Sequence, residues 1–475
     1  MGSFNSSHQQ QPQEQQEEEA AAAAAHLSSS DLQIYQQQQQ PSEIGFTTTI
    51  TNTTTTATTT SSLTTPQNTI MHIRQLLITC AELIAHSDFS AAHRMVSILF
   101  ANSSPYGDST ERLAHQFARA LFLRLNPNPS STTTTTTTTG TSTSTTTATA
   151  ASSDASAIQS CYLTLNQITP FIRFTHLTAN QAILEAIDED QQAIHILDFD
   201  IMHGVQWPPF MQALAERSFN TLRPPPMLRI TATGTDLDLL NRTGDRLLRF
   251  AQSLGLRFQF HPLLLLPDNV NTLPSGLSLL PDEALAVNCM MYLHRLLEGQ
   301  DGYDYDCGGH HHHHHHHHHH RYGVLRGFLQ KIKALNPKIV TIAEREAEHN
   351  SPVFLQRFVD ALDYYAAIFD CLEANLPPNS RERLSVEQVW FGKEIVDVIA
   401  EDGDGRQRSE RYETWESLLR GCGFSNVPLS PFALSQAKLL LRLHYPSEGY
   451  QLRILNDSFF LGWQSRPLFS VSSWH

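Results

Sequence analysis

Cysteine is scarce in this chain of 475 residues: there are six (Cys80, Cys161, Cys289, Cys307, Cys371 and Cys422), with no C-x-x-C pair. That spacing excludes the common zinc modules and fits a reducing compartment. Positive charge is in deficit as well, since 32 Lys and Arg stand against 47 Asp and Glu for a formal charge of -15. Such a balance argues against a broad basic face tracking a phosphate backbone. No apolar run reaches the roughly 18 residues of a membrane span, and no charged-then-apolar start resembles a secretory signal. The expectation is a soluble intracellular protein that does not engage a membrane. Familiar enzyme motifs are missing too: there is no G-x-S-x-G, H-E-x-x-H or G-x-x-x-x-G-K-[ST].

What the chain does contain falls first into low-complexity and foldable parts. Residues 1 to 66 are Gln, Glu, Ala, Ser and Thr with few large apolar groups, so burial cannot offset the entropy of ordering them, and they read as a disordered arm. The Met1–Ser6 start fits the M-G-x-x-x-S myristoylation pattern, but the arm behind it is acidic and offers no second anchoring signal. The same compositional argument sets aside the Thr/Ser insertion 126–156 and the loop 299–320 with its His310–His320 run. A histidine homopolymer specifies no ligand geometry, so it reads as a lengthened loop rather than a metal site. About 370 residues remain, enough for one large domain with an appended layer.

Helical periodicity comes first. Ile73, Leu76, Leu77, Cys80 and Ile84 recur on one face, and similar segments follow at 91–100 and 111–125. These leucine-rich helices read as a cap packing on itself, with a helix-in-groove partner surface as the alternative. Thr178-Ala179-Asn180-Gln181 fits a T-x-x-Q capping box, which predicts a helix beginning there. Strands then alternate with helices: strands at 194–198, 227–233, 256–261, 284–289 and 338–343, and helices at 207–217, 243–254 and 322–335. This predicts a doubly wound α/β sheet, Rossmann-like, with an α-helical cap. Ser351-Pro352 predicts the N-terminus of a long cap helix reaching about 374, and a second covers 381–399. Two C-terminal strands flank Asn456-Asp457, which predicts a hairpin turn.

In such sheets ligands bind beyond the carboxyl ends of the strands where the strand order reverses, and nucleotide sites need clustered glycines there. The first strand instead exits through Asp198-Phe199-Asp200-Ile201-Met202-His203-Gly204, with one glycine and two carboxylates facing the crevice. No cofactor and no enzymatic activity are expected, an adenosyl-cofactor or other small-molecule enzyme being the alternative that Asp198 and Glu344 motivate. His195, between isoleucines, reads as a satisfied core histidine. The run from Glu344 to Asn350 reads as an ionic rim at a helix N-terminus. Leu293, Leu296 and Leu297 match an L-x-x-L-L motif but follow a strand, so packing is the preferred reading. Trp415, Trp463 and Trp474 read as core or interface anchors.

Taken in order, the blocks carry a resemblance. "IHILDFD" with "GVQWP" (His195, Asp198, Asp200, Gly204, Gln206, Trp207, Pro208) resembles the VHIID block of the plant GRAS family, and the leucine-rich helices on either side resemble its leucine heptad repeats. Tyr364-Tyr365, Lys393-Glu394 and the segment Arg408 to Trp415 are similar to its PFYRE region, and "LGWQSRPLFSVSSW" to its SAW block. Lys393 stands where arginine is usual and Ser473 where alanine is, both mild departures. No Asp-Glu-Leu-Leu-Ala stretch is present, so the hormone-receptor binding of the DELLA branch is not carried over.

The resemblance is greatest to the Lateral suppressor branch. It implies a methyltransferase-related fold across 67–475, divided into cap 67–125, core 157–350, cap helices 351–400 and a C-terminal part of the core at 401–475. It also implies a nuclear transcriptional regulator of axillary meristem initiation and shoot branching. The partners it implies are nuclear DNA-binding proteins such as zinc-finger factors, with homo- or hetero-dimers of related proteins. The exit of the first strand becomes a structural corner or a partner surface. Direct DNA contact through Lys393, Arg408 and Arg411 is the alternative, set against pairing of those arginines with Glu410 and Glu413 on a solvated helix face.

Overall fold

The computed structural model describes residues 66–127, 145–220, 223–265, 282–297, 322–403 and 408–475, with positions 277, 279, 280 and 406. The N-terminal arm and the His-rich loop lie outside the described residues. Three helices open the fold: α1 (Pro66–Ala85), α2 (Phe89–Ala101) and α3 (Ser109–Leu125). Asp88 and Asp108 cap the second and third, accepting from the N–H of Ala91 at 3.0 Å and of Glu111 at 2.9 Å. Helix α4 (Thr145–Ile168) starts inside the Thr/Ser stretch, so the end of that stretch is helical and not part of an unstructured insertion. Helix α5 (Phe171–Ala186) passes straight through Thr178. The capping-box expectation therefore fails: the apolar face of α5 already begins at Phe171 and Phe174, both buried, and Thr178 sits mid-helix.

The alternating part follows as β1 (Ala193–Phe199), α6 (Trp207–Asn220), β2 (Met227–Gly234), α7 (Leu237–Ser253), β3 (Phe258–Leu264) and β4 (Ala284–Met290). A 3-10 turn at Leu293–Leu296, α8 (Gly323–Ala334) and β5 (Ile339–Arg345) complete the parallel half. Helix α9 (Phe354–Asn375) begins after Val353 rather than at Ser351-Pro352; Ser351 accepts from the Val353 N–H at 3.2 Å, a turn ahead of the helix. Next comes a continuous helical run of α10 (Arg381–Ser385), a wider π-helical turn (Val386–Phe391) and α11 (Gly392–Ile399). Helix α12 (Tyr412–Gly421), β6 (Asn426–Val427), α13 (Pro431–His444), β7 (Tyr450–Leu455), β8 (Ser458–Trp463) and β9 (Arg466–Trp474) end the chain.

Strand order is β3-β2-β1-β4-β5-β9-β8-β7, with β6 on β9. The first five strands pair in parallel and the C-terminal three antiparallel, which is a Rossmann-like doubly wound sheet extended by a meander. Asn456 and Asp457 both take left-handed backbone (φ 45° and 61°), as the predicted two-residue hairpin turn requires. Alternation along β1 divides the core. Ile194 and Ile196 face the layer that includes the cap, while Leu197 and Phe199 face α8 and α12. Helices α1, α3, α9 and α11 pack on one another through Leu77, Phe117, Phe358 and Ile395, forming the expected cap.

Candidate functional site

The chain runs from β1 outward through β2 and β3, then returns to place β4 on the other side of β1. The crevice at that reversal is where an open α/β sheet admits ligands. The exit loop takes left-handed backbone at alternate positions, Asp200 (φ 63°), Met202 (φ 50°) and Gly204 (φ 62°). Only Gly204 is free of the Cβ penalty, and it is needed there: a Cβ would lie 2.8 Å from Thr243 Cγ2. The Asp200 N–H donates to Thr233 Oγ1 at 2.9 Å and the Ile201 N–H to the Thr233 carbonyl at 3.1 Å, tying the loop to β2.

Beneath this loop lies a buried polar network. Asp198 accepts from Trp207 Nε1–H and from Asn288 Nδ2–H, each at 2.8 Å. Gln206 joins Asn288 and Asn180 at 3.1 Å, and Thr341 Oγ1–H donates to Asn288 at 2.9 Å. Burial pushes the Asp198 carboxyl up to about 7, against the two hydrogen bonds that favour its ionised form. The carboxylate is thus tied to the corner, at the edge of the crevice that it lines. Asp200 does line the crevice and pairs with Arg295 at 2.5 Å.

The crevice opens into a cavity of about 450 Å³ between sheet and cap. Tyr162, Phe171, Trp390, Phe391 and Phe469 supply aromatic walls, and Met202 and Met291 lie along the loop side. Arg345 comes from the end of β5, where Nη2 pairs with Glu394, itself hydrogen-bonded by Tyr365 at 3.2 Å. Apart from the exposed Glu348, the run from Glu344 to Asn350 is therefore interior, not an ionic rim. Glu344 accepts from His294 Nδ1 at 2.9 Å, and Glu346 is held up at about 7 by burial. No helix begins at this run.

The other residues singled out in the sequence scatter. His195 is a core histidine: its Nε2 bonds Thr231 Oγ1 at 2.8 Å, Arg229 donates to its Nδ1 at 3.2 Å, and burial pushes it down to about 4. Trp207 and Pro208 are buried, and Trp207 is 0 % exposed, so the corner offers a partner little surface. Leu293, Leu296 and Leu297 are buried against α8. Glu394 is buried, whereas Lys393 is exposed and paired with Asp397 at 2.5 Å. Trp415, Trp463 and Trp474 are all in the core, with Trp463 Nε1–H donating to Asp370 at 2.7 Å.

The arginines proposed for DNA contact are placed differently from either expectation. Arg408 is 3 % exposed and donates to the carbonyls of Leu297, Arg406 and Gly403. Arg411 pairs with Asp360 at 2.8 Å and approaches Glu348 at 3.8 Å, not Glu410 or Glu413. Folding brings Asp360 to Arg411 and the Leu297 carbonyl to Arg408 from distant elements, which local i,i+4 reasoning cannot see. Sequence reading passed over Asn288, which lies in no motif, and took Asn180 only as part of a capping box and Arg345 only as part of an ionic rim.

Comparison with known proteins agrees with this architecture. The model of the GRAS domain family matches residues 73–475. The chain is 51% identical over 425 residues to Scarecrow-like protein 18 of Arabidopsis thaliana, covering 85% of this chain and 91% of that one. It is 44% identical over 427 residues to Protein MONOCULM 1 of Oryza sativa subsp. japonica, covering 84% and 88%. The crystal structure of SCL7 in Oryza sativa superposes with a TM-score of 0.65 at 33% identity, covering 85% of this chain and 99% of that one. With the family match spanning cap, sheet and C-terminal meander, this chain belongs to the GRAS domain family.

Proposed function

We propose that the chain is a nuclear regulator of transcription in plant development that acts by contacting DNA-binding proteins, zinc-finger factors among them, in axillary meristem initiation and shoot branching. Family membership and the plant relatives support the regulatory part. The observation that carries the partner-mediated part is the placement of the cations. Arg408 is internal, Arg411 is held by Asp360, Lys393 is held by Asp397, and the chain as a whole carries a formal charge of -15. These three cations, so placed, have little to offer a phosphate backbone, whose counterion release needs accessible cations.

The test is selection from a randomised duplex pool by the purified full chain near physiological salt, with and without a nuclear zinc-finger protein. Enrichment of a motif only with the partner present is the expected result. A motif selected by the chain alone, with affinity falling steeply as salt rises, overturns the proposal in favour of direct reading. A fluorescent fusion excluded from plant nuclei overturns the nuclear assignment.

A further inference from the structure

We infer that the cavity at the β1–β4 reversal is a binding site for a small amphipathic organic acid, an apolar ring-bearing body whose single carboxylate is received by Arg345. Its volume of about 450 Å³ lies within the roughly 300–1,000 Å³ of small-molecule sites. The walls are aromatic, with Tyr162 packed on Trp390 and Phe171 on Phe469 at ring-centroid distances of 5.9 and 5.0 Å, and flat apolar bodies stack on such surfaces.

Arg345 supplies the polar end. It is 6 % exposed and lines the cavity; Nη2 is taken by Glu394, while Nη1 is buried with no hydrogen-bond partner. A buried guanidinium N–H left unmet is costly, and a carboxylate oxygen would satisfy it with a charge-assisted bond. The local charge favours an anion as well. Arg295, Arg345, Lys393, Arg406 and Arg408 line the cavity. They face four carboxylates, of which Asp198 is turned to Trp207 and Asn288.

A phosphate is the poorer occupant, because the loop that would cradle it spends its amides on itself. Asp200 and Ile201 donate to Thr233, Gly204 donates to the Ile201 carbonyl at 2.8 Å, and Trp207 to the Gly204 carbonyl at 3.2 Å. The proposal does not depend on how the protein engages DNA or its partners.

The test uses the purified full chain with 1-anilinonaphthalene-8-sulfonate as reporter and 1-naphthoate, 1-naphthamide and S-adenosylmethionine as competitors. Saturable reporter binding is expected, displaced by 1-naphthoate at a concentration about tenfold or more below that of the neutral amide. In the paired variant Arg345→Met/Glu394→Met, which removes both charges together, naphthoate should lose that advantage and fall to the level of the amide. Ile172→Trp, which fills the cavity from a half-buried position on α5, should weaken both competitors, with melting curves confirming the fold. Failure of naphthoate to displace the reporter overturns the proposal, as does equal potency of acid and amide or stronger displacement by S-adenosylmethionine. If the paired variant does not fold, Ile172→Trp decides alone, and unchanged naphthoate affinity in it overturns the assignment.

Discussion

Arg112 on α3 and Glu387 in the π-helical turn form a bidentate pair, Nε to Oε2 at 2.7 Å and Nη2 to Oε1 at 3.0 Å, across 275 residues of sequence. Both side chains are at most 2 % exposed, so the pair joins the first helical layer to the last cap helices in a dry environment. Glu387→Met leaves Arg112 with Glu373 as its remaining carboxylate partner, at 2.7 Å, and should lower unfolding free energy by about 1–3 kcal/mol. Arg112→Met/Glu387→Met should cost much less than the two single changes summed. Urea unfolding of the four proteins gives the coupling, and strict additivity would refute a pair of this kind.

The corner beneath the exit loop rests on Trp207. Replacing it by phenylalanine leaves Asp198 with Asn288 as its remaining donor, at a cost of about 1–3 kcal/mol. Because the indole N–H favours the ionised carboxylate, its loss lifts Asp198 further above about 7. A carboxyl raised in the folded state loses its stabilising contribution as pH rises, so the Trp207→Phe penalty should be larger at about pH 8 than at about pH 5. Denaturation midpoints at the two pH values check this, and an equal penalty at both would remove Asp198 from the explanation.

His195 carries the opposite sign. Burial, with Arg229 next, holds it at about 4, below the ordinary histidine value near 6.5, so its stabilising contribution is complete above that value and is lost as pH falls toward 4. Relative to His195→Gln, which cannot protonate, the wild-type chain should lose up to roughly 3 kcal/mol over that window. A stability difference between the two that is flat with pH contradicts a neutral core imidazole.

Gly204 and Gly255 separate conformational from steric demand. Both have left-handed backbone (φ 62° and 67°), but a Cβ meets Thr243 at 2.8 Å at the first and nothing within 4 Å at the second. Gly255→Ala should cost about 1 kcal/mol from φ alone. Gly204→Ala should cost about 1–3 kcal/mol more, through the clash. Equal losses in thermal or urea unfolding would mean that α7 yields to the added methyl group.

Local chemistry made much of the fold legible. The strands announced themselves by apolar runs, the hairpin by Asn456-Asp457, and the lack of a glycine cluster after β1 by simple inspection of the exit loop. Each depends on a few consecutive residues, whose backbone preferences act before any tertiary contact forms. The errors have the opposite character. Thr178 carries a capping signature, yet the helix runs through it because the apolar face upstream was already committed to the core. Ser351-Pro352 likewise precedes its helix instead of starting it.

The sequence by itself determined the class of fold, the cap and the order of its blocks, since periodicity, turn chemistry and composition are properties of short stretches. Tertiary structure alone decided which charges are available. Arg408 was drawn inside, Arg411 was matched with Asp360, and Arg345, which lines the cavity, was left with one buried N–H unmet, because pairing in three dimensions joins distant residues, as Arg411 is joined to Asp360 51 positions away. Burial then sets what each group can do: it raises Asp198, lowers His195, and makes an unmet donor costly enough to mark a site.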